Sequence, residues 1–179
     1  MNVRTILVPV DFSTCSLLVT RQAAGLAAQL GARVVILHVA ELPRHLSAEA
    51  TLELDGVQRT AEGHLLAESN ERLVAFTEAA RELGAEADVE VRVGPVVPTI
   101  LSAVDSLGAD LVIIGTHGRT GLARMVLGSV AEGVAHQAHV PVMLVRRESR
   151  PECKRESCEW CPHALKSPVE SRLAAEREG

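Results

Sequence analysis

The sequence is almost without aromatic side chains. Its 179 residues include two Phe, one Trp and no Tyr. Proteins that hold single-stranded nucleic acid stack bases on rings along a basic groove, and Phe12, Phe76 and Trp160 are too few to line one. Positive charge is short as well. The 18 Lys and Arg against 23 Asp and Glu leave a net charge of -5, which argues against attachment to polyanions or to an anionic membrane surface. No apolar run nears the roughly 20 residues that span a bilayer. The opening Met1-Asn2-Val3-Arg4-Thr5 leads straight into a strand-like run, without the apolar stretch and small-residue cleavage site of a signal peptide. A cytoplasmic location is therefore expected, with no nucleic-acid and no membrane partner. Cysteine is limited to four residues, and in that compartment these are expected as reduced thiols or metal ligands rather than disulfides.

What remains is an ordinary globular composition, 47% hydrophobic and 23% charged, in a chain of about one domain's length. Short apolar runs alternate with longer helical patterns. Ile6-Leu7-Val8-Pro9-Val10 is a strand closed by Asp11, and residues 14–30 form a helix that Gly31 stops. Val34 to Val39 is a second strand, rich in β-branched residues and suited to burial on both faces. Residues 43–55 read as a loop with a short helical piece, and residues 57–83 as a helix with Leu65, Leu66, Leu73 and Phe76 inward. Val89, Val91 and Val93 alternate with polar residues, as in an edge strand. A helix over 97–107, a strand over 110–115, a mostly helical stretch over 122–138 interrupted by glycines and a strand from Val140 to Val145 complete the series. Pro141 puts that last strand at an edge. Strands alternating with helices predict an α/β fold: a five-stranded parallel sheet of order 3-2-1-4-5 with helices on both faces. Ligands of such sheets sit at the carboxyl ends of the strands where the winding reverses. The reversal falls between strands 1 and 4, so the segments of interest are 9–13 and 115–129.

The second of these reads Gly115-Thr116-His117-Gly118-Arg119-Thr120-Gly121, then Leu122 to Leu127, then Gly128-Ser129. Glycines let backbone N–H groups come close to a polyphosphate. Gly128-Ser129 can open a helix whose first amides point at an anion. Ser129 adds a hydroxyl, and Arg119 and Arg124 add charge. Glycines that merely turn the chain are the alternative, and their position after a strand at the winding reversal favours phosphate binding.

Gly115, two residues, Gly118, nine residues, then Gly128-Ser129 resembles the glycine motif of the ATP-binding branch of the universal stress protein family. The opening Ile6-Leu7-Val8-Pro9-Val10-Asp11-Phe12-Ser13 and the close Pro141-Val142-Met143-Leu144-Val145 are similar to the family's as well. The resemblance covers residues 3–147. It implies a Rossmann-like α/β fold similar to the adenine nucleotide α-hydrolases, a homodimer, and bound ATP with a divalent cation, Mg²⁺ or Mn²⁺. It places a ribose-contacting carboxylate at Asp11 and the adenine against Val10 and Val39, beside Pro9. Gly115, His117, Gly118, Arg119, Gly128 and Ser129 take the ribose and phosphate positions, with the amide of Val130. Bland readings stand beside these. Asp11 or Ser13 could simply cap the first helix, and Val39 could be core.

Catalysis has little support. No Gly-x-x-x-x-Gly-Lys-Ser/Thr loop is present, and His117 is the one candidate base for slow ATP hydrolysis. A nucleotide-dependent ligase or sulfur-transfer enzyme would carry its glycine-rich phosphate loop after strand 1, where this chain has Pro9-Val10-Asp11-Phe12-Ser13.

Residues 148–179 differ in composition from residues 1–147 and form a separate tail. Cys153, Cys158, Cys161 and His163 are soft or borderline ligands close enough for a tetrahedral Zn²⁺ site. An iron–sulfur cluster, a redox Cys-x-x-Cys pair and a disordered tail with incidental thiols are the alternatives. Cys15 reads as a small buried apolar residue. Two functions follow. One is an ATP-gated regulatory stress-response dimer, paired through Val140 to Val145 and read by an unknown protein client. The other is a metal- or redox-sensing dimer centred on the tail.

Overall fold

The computed structural model describes residues 2–43, 46–54, 57–116 and 127–146. In chain order these form β1 (Thr5–Val10), α1 (Thr14–Leu30), β2 (Arg33–Ala40), β3 (Thr51–Leu54), β4 (Val57–Thr60), α2 (Ala61–Arg81), β5 (Glu86–Val93), α3 (Val96–Leu107), β6 (Leu111–Gly115), α4 (Ser129–Gln137) and β7 (Val142–Val145). Five strands make one parallel sheet of order β5-β2-β1-β6-β7.

Each apolar run became a strand because it is covered on both sides. Every residue of β1 is buried. From β2, Val34 to Leu37 are buried, and from β6, Leu111 to Ile114. Side chains alternate across the sheet. Leu7, Val35, Leu37, Val112 and Ile114 face one layer, where Ile100, Ala103 and Val104 of α3 and Ala131 and Val134 of α4 pack on them. The intervening residues Ile6, Val8, Val34 and Ile36 face the other layer, where α1 and α2 pack on each other and on β1 and β2. Gly31 ends α1 in the left-handed conformation, φ 66°, and its N–H reaches the Ala27 carbonyl; a residue with a Cβ would be strained there.

The structure corrects the sequence reading in four places. The strand order differs from 3-2-1-4-5 because seven strands are present among the described residues, not five. The additional β3 and β4 form a separate antiparallel hairpin, with Leu54 opposite Val57. It takes up residues read as loop and as the start of α2, which begins only at Ala61. There Thr60 caps it by accepting the Gly63 N–H. The large sheet still reverses its winding beside β1, since β2 and β6 flank that strand. At α4, Gly128 is the N-cap in extended conformation, so the helix starts at Ser129, and it ends at Gln137 rather than Ala138. Finally, β7 begins at Val142 rather than Val140. Pro141 lies just outside the strand and offers its carbonyl to the Val112 N–H. The edge positions of β5 and β7 agree with the reading. Among the described residues, no helix is long and apolar enough to cross a membrane.

The start of β1 is tied down by one carboxylate. Asp110 Oδ2 accepts the Arg4 N–H at 2.8 Å and the Thr5 N–H at 3.0 Å. These two bonds, the Arg4 bond foremost, hold the Asp110 carboxyl below its usual value. A depressed folded pKa stabilises the fold above the unfolded value, near 4, and the contribution fades as pH falls through the folded pKa. Asp110→Ala is therefore expected to melt below wild type at pH 7. The gap should close progressively below about pH 4, as read from melting temperatures across a pH series.

Candidate functional site

Where the winding reverses, the carboxyl ends of β1, β2 and β6 open into a cleft of about 640 Å³. That volume falls within the range of small-molecule sites. Pro9, Val10 and Asp11 line it from the end of β1, Val39 from β2, and Gly115 from β6. Gly128, Ser129 and Val130 line it from the start of α4. A third wall comes from α2, through Leu65, Glu68, Ser69 and Arg72.

The turn from β1 into α1 is built by short-range hydrogen bonds. Ser13 is the helix cap and its hydroxyl accepts the Ser16 N–H, so the capping role belongs to Ser13. Asp11 is engaged in the same turn. Its Oδ1 accepts the Ser13 N–H at 3.0 Å and the Ser16 hydroxyl at 2.6 Å, and its own N–H donates to Ser16 Oγ at 3.1 Å. Between them Phe12 takes φ 61°, a left-handed conformation that costs an L-residue roughly 1–2 kcal/mol. The conformation projects the ring onto three partners. His38 lies 4.1 Å away, centroid to centroid, Phe76 meets it edge-on at 5.9 Å, and the Arg72 guanidinium carbon sits 4.0 Å from the ring centroid. A cation over an aromatic face contributes about 0.5–1 kcal/mol at an exposed site. His38 is itself held by Nδ1, 2.9 Å from the Val10 carbonyl oxygen.

The opposite side of the cleft is the start of α4. Gly128 supplies no side-chain cap, and the first hydrogen bond within the helix runs from Glu132 N–H to the Gly128 carbonyl. The amides of Ser129, Val130 and Ala131 precede that bond, so they have no carbonyl of their own helix to reach and carry the positive end of its dipole. All three residues line the cleft. Gly128 N–H donates to the Thr116 carbonyl at 2.9 Å, and a Cβ on Gly128 would come within 3.2 Å of that oxygen. Glycine thus lets the end of β6 and the start of α4 close together. The arrangement is suited to an anion at α4 and an apolar, partly aromatic body toward β2 and α2.

His117, Gly118 and Arg119 lie outside the described residues, as do Cys153, Cys158, Cys161 and His163. Among the described residues, no group of three or more His, Cys, Asp or Glu is placed to hold a metal ion. Cys15 is half-buried and is not in a disulfide. Sequence reasoning missed the α2 wall and the Phe12–His38–Arg72 stack, because their parts lie far apart in the chain. The one available signal was Ser69, a polar residue on an otherwise apolar stripe.

Residues 2–146 match the model of the universal stress protein family. The chain belongs to that family. Universal stress protein MJ0531 of Methanocaldococcus jannaschii is 32% identical over 149 residues, which covers 82% of this chain and 84% of that protein. Among solved structures, hypothetical protein MJ0577 superposes with a TM-score of 0.68 at 23% identity, over 83% of this chain and 99% of that one. A universal stress protein from Archaeoglobus fulgidus, solved in complex with dAMP, gives a TM-score of 0.57 at 26% identity, over 80% of this chain and 98% of the other.

The turn geometry predicts different outcomes for two substitutions. Asp11→Ala removes the acceptor of both the Ser13 N–H and the Ser16 hydroxyl. It should lower unfolding free energy by about 1–2 kcal/mol, the range of a lost helix-start cap. Asp11→Asn keeps an oxygen in place and should cost less than half as much. Urea denaturation of both variants measures the difference.

Proposed function

We propose that the cleft is an adenine-nucleotide site and that the protein is an ATP-gated regulatory dimer of the stress-response type. The observation that carries the reading is the start of α4. Three successive amides without helical partners face a cleft large enough for a nucleotide, and a glycine brings them against the end of β6. Helix starts of this kind bind phosphate through N–H groups and dipole together. The family relative solved with dAMP supports the same ligand class.

In this reading Ser129, Val130 and Ala131 hold the phosphates, with Gly115 and the 117–119 segment beside them. Asp11 meets the ribose, and Pro9, Val10 and Val39 flank the base. Mg²⁺ or Mn²⁺ would arrive on the phosphates, since such ions keep several waters and use few protein ligands. The nucleotide neutralises the start of α4, which changes the surface a client reads. Exposed Met143 and Leu144 on the edge strand β7 support pairing of two chains there. Residues 1–147 would be the nucleotide-binding domain and residues 148–179 an appended tail, a division supported by where the family match ends.

Calorimetric titration of the full chain with ATP and Mg²⁺ tests the reading. One ATP per chain with a micromolar or tighter constant is expected. Gly128→Val, which forces side-chain atoms against the Thr116 carbonyl, should weaken binding at least tenfold while the protein still melts cooperatively. Absence of binding by wild-type protein that melts cooperatively would contradict the reading.

A further inference from the structure

The stripe that α2 buries is formed by Ser69, Leu73, Phe76 and Ala80, spaced at the helical period. Ser69 is its polar member. It is 5% exposed, and its hydroxyl has no hydrogen-bond partner among the described residues. Polar side chains in helices commonly turn back to a carbonyl one turn earlier. Here Asn70 does so to Leu66 at 2.8 Å, Thr77 to Leu73 at 3.1 Å and Thr20 to Ser16 at 2.9 Å. Ser69 does not. Among the described residues no buried side-chain polar atom lacks a partner, so a Ser69 hydroxyl that makes no such bond opens onto the cleft its residue lines.

Its place in the fold defines which part of a ligand it meets. α2 packs over β5 and β2, whereas α4 follows β6 on the far side of β1. Ser69 and the α4 amides therefore stand at opposite ends of one cleft. Around Ser69 the lining is mixed: apolar Leu65 one turn earlier on α2, and Val39 and Ala40 at the end of β2, beside the charged Glu68 and Arg72 of α2 and Glu41. Apolar surface with a few placed polar groups is the usual make-up of a small-molecule pocket. A serine hydroxyl both donates and accepts, as does the edge of a nucleobase.

We propose that Ser69 is the base-reading residue of the cleft, its Oγ hydrogen-bonding the edge of the nucleobase whose phosphates rest on α4. The assignment rests on the nucleotide reading above. It makes α2, not the glycine segment, the element that sets base preference.

The test titrates the full chain and its Ser69→Ala and Ser69→Thr variants with AMP and with ATP, beside thermal melting of the free proteins. Ser69→Ala should weaken both ligands by the same factor, roughly three- to tenfold for one neutral hydrogen bond. The factor is shared because the base is shared. The free Ser69→Ala protein should melt at or above the wild-type temperature, since the hydroxyl bonds nothing there. Ser69→Thr keeps the hydroxyl and should retain more affinity than Ser69→Ala. Unchanged affinity for both ligands in Ser69→Ala overturns the proposal, as does a loss accompanied by a lower melting temperature, which marks a packing role. Wild-type protein that binds neither ligand overturns the nucleotide reading itself, an outcome distinct from the other two.

Discussion

Burial of β1 between β2 and β6 is the constraint from which the rest of the structure follows. A strand with all six residues buried must pair on both edges and be covered on both faces. Backbone polar groups inside a core tolerate nothing less. Parallel neighbours need helical crossovers, and crossovers on both faces supply the layers. Having β1 at the centre means that the chain winds outward from it in both directions. The crossovers then part at its carboxyl end, and the cleft is the gap they leave. The site is thus a consequence of topology before any functional side chain is considered.

Most of the large sheet was legible for the same physical reason. Runs such as Val34 to Leu37 and Leu111 to Ile114 can be buried on both faces only in a parallel sheet. Their number and spacing left little freedom. Gly31 marked a helix end, Gly128-Ser129 a helix start, and Pro141 an edge. The hairpin of β3 and β4 was not read, although the sequence carries a signal for it, an Asp-Gly dipeptide between Thr51-Leu52-Glu53-Leu54 and Val57-Gln58-Arg59-Thr60. Four-residue strands carry too little hydrophobic pattern to outweigh the long helical periodicity that follows them. Counting them changes the numbering of the sheet but leaves β1 between β2 and the strand that carries Gly115.

The cleft divides in the same way. Its floor and its α4 side come from segments joined directly to sheet strands, so topology pointed to the segments that hold Asp11, Gly115, Gly128 and Ser129, and the family resemblance added Val39. The α2 wall depends on where a helix lies after a connection of some twenty residues, and no local pattern encodes that. Phe12 is intermediate. Its position after β1 was legible, but its left-handed backbone and its contacts with His38 and Arg72 emerge only when β2 and α2 are in place. The polar groups of the cleft differ in kind: main-chain amides with a helix dipole at α4, and at α2 the side chains of Glu68, Ser69 and Arg72. The first suit charge and are indifferent to the base.

Hydrogen–deuterium exchange of the full chain with and without ATP and Mg²⁺ tests the central claim, that the start of α4 is where the nucleotide phosphates rest. The account predicts slowed exchange at the amides of Ser129, Val130 and Ala131, with smaller protection near Val10 and Asp11. Exchange at α4 that stays unchanged while ATP is demonstrably bound would place the nucleotide elsewhere and contradict the account.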